Sequence, residues 1–130
     1  MKESNFMRIE LNPMINNFET ITHELTAQEL LLITPIANAF RKYTKINPIK
    51  APDIIAKFNN SKMFHLKLTE PRLRKIVNYI RTNSIIPLIA TSNGYYVTDD
   101  SDEILSQIES LQERARSINQ CAEGLKNFIK

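Results

Sequence analysis

"RLRKIVNYIRTNSIIPLIATSNGYYVTDD", residues 72–100, changes period halfway along. Its first half carries apolar residues at helical spacing with basic residues between them. Its second half is two short runs rich in β-branched and aromatic residues around Asn93-Gly94. At roughly 100° per residue, Leu73, Ile76, Val77 and Ile80 fall within one sector and form the stripe that should be buried. Lys75, Asn78 and Thr82 lie nearly opposite; Arg74 and Arg81 flank one side, Arg72 and Tyr79 the other. Thr69 is placed to cap this helix, and Glu70 stands in the first turn, where the dipole favours an acid. The pattern ends near Thr82 or Asn83. "IIPLIAT" and "YYVTD" then read as strands, and Asn-Gly between them predicts a hairpin with a type I′ turn. Pro87 suits an edge position.

Upstream, "TAQELLLI" opens a helix with Thr26 as N-cap and Glu29 completing a capping box. Pro35 interrupts it. Either Thr34 caps a new helix with Pro35 in its first turn, running to about Tyr43, or one kinked helix spans the region. Pro48 and Pro52 keep "INPIKAP" extended, so "PIKA" can supply a short strand. Pro52 and Asp53 start a short helix with Ile54, Ile55 and Phe58 on its apolar side, and "NNSK" ends it. Residues 1–25 are least legible: "FMRIEL" alternates weakly, as a short strand or a docking tail would, and Asn12-Pro13 marks a break.

Downstream, a long helix is expected from about Asp102, with Asp100 and Glu103 as a capping box. Ile104, Ile108, Leu111, Ala115, Ile118, Ala122, Leu125 and Ile129 follow one another by alternating steps of four and three, a heptad seam. Roughly 28 helical residues would span about 42 Å, more than the width of a small domain. Self-association through the seam, as a dimer or higher oligomer, is therefore expected ahead of packing on its own domain, although residues 1–33 could cover the excess. Three segments result: 1–25, a domain at 26–99, and a helix at 100–130.

The 130 residues include 17 basic and 14 acidic ones, a net charge of +3. Residues 46–83 hold 8 basic against 2 acidic residues, whereas residues 99–130 hold 4 basic against 7 acidic. A basic middle flanked by acidic ends is what a local polyanion site needs; a merely solvated basic face is the alternative. The helix at 69–83 has no acid after Glu70, where a surface chosen for solubility usually mixes signs.

Other chemistry is not encoded visibly. His23 and His65 are isolated, no Cys/His spacing suits zinc, and 2 glycines could hardly build a phosphate loop. No catalytic residue, metal site or cofactor is expected. The longest apolar stretch, "LLLITPIANAF", is too short for a membrane span and carries Pro35. "MKESNFMRIE" lacks the apolar run of a signal peptide. A lone cysteine, Cys121, forms no internal disulfide and fits a reducing cytoplasm.

The order helix, short strand, helix, basic helix, hairpin is that of a winged helix-turn-helix. The fold class expected is thus mainly α with a small β-hairpin, a winged helix-turn-helix domain followed by a long C-terminal helix. "LRKIVNYIR", then "PLIATSNGYYVTDD", then "IESLQERARSI" resemble small winged-helix proteins of phages and prophages over residues 50–120. That resemblance implies sequence-preferring double-stranded DNA binding in transcriptional regulation or replication, in the cytoplasm of the host cell. The expected DNA contacts are Arg72, Arg74, Lys75, Asn78, Tyr79, Arg81 and Thr82 on the third helix, with Ser92 and Asn93 at the wing tip. Asn78 is the candidate for base readout, since a carboxamide pairs with adenine. The alternative is an interaction module in which the winged helix is a scaffold and the last helix or the N-terminal segment binds a host or viral protein.

Overall fold

A computed structural model of the chain describes residues 24–130. The expected strand or tail at "FMRIEL" and the break at Asn12-Pro13 lie outside the described residues. The chain divides into two compact units after Val97, and each is described by itself. Among the described residues it is mainly helical, with one two-stranded antiparallel hairpin and a long C-terminal helix.

Thr26, in extended backbone, caps α1 (Ala27–Leu30). Its Oγ1 accepts from the Glu29 N–H at 3.1 Å, and Glu29 Oε1 accepts from the Thr26 N–H at 3.0 Å, the reciprocal pair expected of a capping box. Leu31 and Leu32 stay right-handed, and α2 (Ile33–Phe40) follows. Neither alternative at Pro35 is met as stated: two helices form, but the second starts at Ile33 with Leu32 at its N-cap, so Thr34 lies inside α2 and does not cap it. Pro35 lacks the N–H that would reach the Leu31 carbonyl, and its ring crowds that carbonyl, so the helix breaks one turn upstream of the proline. Beyond Phe40 two tighter turns, Lys42 to Ala39 and Tyr43 to Phe40, carry the chain to Tyr43.

α3 (Ala51–Ser61) begins with Pro52 in its first turn and ends at Lys62, whose φ is +57°. The turn into the next helix is held by one side chain. Asn59 Oδ1 accepts from the Leu68 N–H at 2.8 Å while its Nδ2 donates to the Leu68 carbonyl at 3.0 Å. α4 (Glu70–Thr82) starts where expected, its N-cap Thr69 accepting from the Arg72 N–H. Leu73, Ile76, Val77 and Ile80 are all buried, as the helical spacing predicts, and join Leu32, Ile36, Phe40, Ile54 and Leu88 in one core. Ile85 N–H reaches the Ile80 carbonyl at 2.9 Å and Ser84 N–H the Arg81 carbonyl at 3.2 Å. These two bonds close the helix as a Schellman turn, with Ser84 at φ +55° where glycine is usual.

The hairpin pairs β1 (Leu88–Thr91) with β2 (Gly94–Val97), Thr91 opposite Gly94. Its tip is therefore Ser92-Asn93, one residue earlier than a type I′ Asn-Gly turn would place it, and neither tip residue has positive φ. Thr91 Oγ1 takes over the turn by accepting from the Asn93 N–H and donating to the Gly94 carbonyl. Gly94 instead answers a constraint from outside the hairpin. Ile49 forms an antiparallel bridge with Tyr95, the short strand expected in "PIKA", through bonds of 2.9 and 2.7 Å. A Cβ on Gly94, which has φ +128°, would stand 2.6 Å from the Ile49 carbonyl oxygen.

α5 (Ser101–Lys126) is a single helix of 26 residues capped by Asp100, whose carboxylate accepts from the Asp102 N–H at 2.9 Å. The expected capping box with Glu103 does not form, because the Asp100 N–H donates to Thr98 Oγ1 instead. Ile129 leaves the seam: after Lys126 the chain tightens into three-residue turns, so the heptad pattern on the helix ends at Leu125.

Two of the positive φ angles, at Gly94 and Ser84, predict opposite effects on stability. Gly94→Ala should destabilise by about 3 kcal/mol, from positive φ and the collision with Ile49. Ser84→Gly should stabilise by about 1 kcal/mol, by removing the Cβ penalty of the left-handed region. Urea midpoints at constant m-value measure both; equal signs would contradict the assignments.

Candidate nucleic-acid interface

The outward side of α4 is built by the same spacing that buries its stripe, yet its cations are not equivalent. Glu29, on α1, is buried at 2% exposure. Its Oε2 accepts from Arg72 Nε at 2.8 Å and its Oε1 from Lys75 Nζ at 2.8 Å. Arg72 also donates through Nη1 to the Lys67 carbonyl. The Lys75 side chain is only 16% exposed, so it does not stand on the open face that the helical angles alone predict. Two of the residues expected to meet DNA are thus fastened to an internal carboxylate.

Burial alone would raise the Glu29 carboxyl. Hydrogen bonds from Lys75, the Thr26 N–H and Arg72 outweigh it and hold the group at about 2, below its ordinary value of 4.5. A carboxylate stripped of water is tolerated here because three donors converge on it. Glu29 was legible only as a capping residue; the further signal was its position as the one acid between residues 26 and 45, beside the apolar run "LLLI".

The remaining candidates separate by side. Arg74 makes a long ion pair with Glu70 at 3.5 Å, and its Nε, out of contact with solvent, donates to nothing among the described residues. Arg74 and Arg81 both act electrostatically on Tyr95 of β2, whose phenol is pushed up by burial against their opposing pull. They therefore lie on the hairpin side of α4. Tyr79 is half-buried against the core, while Asn78 and Thr82 are exposed. Lys75, Asn78, Tyr79 and Thr82 line a cleft of about 380 Å³ closed on its other wall by Glu24, Leu25 and Leu30. Ser92 and Asn93 are exposed at the hairpin tip, on a separate element and with no basic neighbour in the turn. Among the described residues no group of three His, Cys, Asp or Glu could hold a metal ion, and no helix is long and apolar enough to cross a membrane.

Compared with protein-family models, curated proteins and solved structures, the chain finds no match.

The depressed Glu29 carboxyl fixes a pH dependence. Its contribution is present above about pH 4.5, the value in the unfolded chain, and is lost as pH falls to about 2. The loss amounts to about 3 kcal/mol over that window. Glu29→Gln should be less stable at pH 7 and should lose less stability on acidification than the wild type. Parallel acid limbs in urea titrations of the two proteins would contradict the ion-pair assignment.

Proposed function

We propose that the unit ending at Val97 is a winged helix-turn-helix that binds double-stranded DNA with α4 in the major groove and the β1–β2 hairpin alongside. The element order supports this, as does the Ile49 bridge that adds a short third strand to the hairpin. The major groove is about 12 Å wide and accepts one helix with its side chains. The observation that carries the reading is the polar face of α4: Arg74 and Arg81 on the hairpin side, and Asn78 and Thr82 exposed next to the cleft. Arg72 and Lys75 contribute differently from the others. Held by Glu29, they shape and brace the face, and their charge toward a phosphate is partly cancelled. The binding role of α4 thus shifts toward Arg74, Asn78 and Arg81. A regulator or replication accessory of a phage or mobile element, acting in the host cytoplasm, fits such a molecule. The alternative, a protein-interaction module, is favoured by a separate observation, the exposed apolar residues of α5.

Fluorescence anisotropy with labelled duplex DNA, repeated over a range of salt, tests this. The wild type should bind with an affinity that falls steeply with salt. Arg74→Ala with Arg81→Ala should reduce the slope of log K against log salt by about 1 for each phosphate that is no longer neutralised. Asn78→Ala should narrow the gap between preferred and random sequences more than it weakens random binding. No salt-dependent binding by the folded wild type, or an unchanged slope in the folded double variant, would remove α4 from any DNA interface.

A further inference from the structure

α5 exposes an apolar seam on a helix with a strongly unequal charge distribution. From Ile108 to Leu125 every residue is exposed, including Ile108 at 42%, Leu111 at 39% and Ile118 at 43%. The residues 101–113 hold four acids and no base; the residues 114–126 hold three bases and one acid. The seam is also uneven in volume. One of its two heptad positions is taken by Ile108, Ala115 and Ala122, the other by Ile104, Leu111, Ile118 and Leu125.

We propose that α5 pairs antiparallel with α5 of a second copy of this chain, in one register. Parallel pairing would stack each seam residue on itself. Ala115 on Ala115 and Ala122 on Ala122 leave two underfilled layers, and isoleucine at two of the four other positions, Ile104 and Ile118, weakens the preference for two parallel strands. It would also set acidic half beside acidic half. Antiparallel pairing reverses each of these penalties. With the two-fold axis between Arg116 and Ser117, Ala115 packs on Ile118 of the partner, Ala122 on Leu111, and Ile108 on Leu125. Each alanine meets a large side chain and six layers are filled. The acidic first half of one helix then lies along the basic second half of the other, and the helix dipoles oppose. At the flanks, Arg114 and Lys126 meet the partner's Cys121 and Leu105, so no like charges face each other.

The pairing stands independently of DNA binding, and its test needs no DNA. Sedimentation equilibrium of the full chain should give twice the single-chain mass at micromolar concentration. Ile118→Glu should raise the dimer dissociation constant at least tenfold, with the helical circular-dichroism signal at high concentration reporting that the chain still folds. Orientation is read in a Cys121→Ser background by oxidative cross-linking. Chains carrying Ile108→Cys mixed with chains carrying Leu125→Cys should form a disulfide-linked dimer, whereas either alone should not, because identical positions lie about 25 Å apart along the axis. A single-chain mass across the micromolar range, a mass above that of two chains, or efficient cross-linking of each variant with itself would overturn the proposal.

Discussion

The carboxylate of Glu29 joins the start of α1 to α4 through three donors. One oxygen closes the N-terminus of α1 on Thr26 and also takes Lys75; the other takes Arg72. The same side chain therefore starts the first helix and fixes the N-terminal half of α4 against it. A carboxylate this deeply buried is costly unless every lone pair is used. Its partners are just as bound by the arrangement, since removing Glu29 would leave an arginine and a lysine partly buried without their anion. The position of α4 over the core follows from its apolar stripe, but its rotation about its own axis is pinned by this ion cluster.

That constraint changes what the basic face of α4 means. Counted along the sequence, four cations stand on one helix with a single acid at its start. In space, two of them share an internal carboxylate and two lie toward the hairpin. A count of charge in sequence overstates the field available to a phosphate backbone, because Glu29 is more than forty residues away in the chain. The face proposed to meet DNA is accordingly smaller and lies nearer the hairpin than the spacing alone predicts.

Much of the fold was legible because local signals agreed with each other. The cap at Thr69 and the stripe from Leu73 to Ile80 needed nothing beyond their own helix, and the β-branched runs either side of Asn93-Gly94 located the hairpin. What escaped were features set at long range. Gly94 reads as a turn residue, yet the Ile49 backbone passing close by is what forbids a side chain there, and the turn itself lies one residue upstream. Thr34 is a good cap by composition, but Pro35 acts on the carbonyl four residues before it and breaks the helix there. The pairing of Glu29 with Arg72 and Lys75 joins α1 to α4, and no local pattern encodes it.

The most direct test of the central claim is a double-mutant cycle between Glu29 and Lys75. Unfolding free energies would be measured at pH 7 for the wild type, Glu29→Gln, Lys75→Met and the double variant. A shared buried ion pair predicts a coupling energy of about 2 kcal/mol, with the double variant recovering much of what each single change loses. Additive losses, within about 0.5 kcal/mol, would mean that the two side chains act separately and that Glu29 does not hold α4.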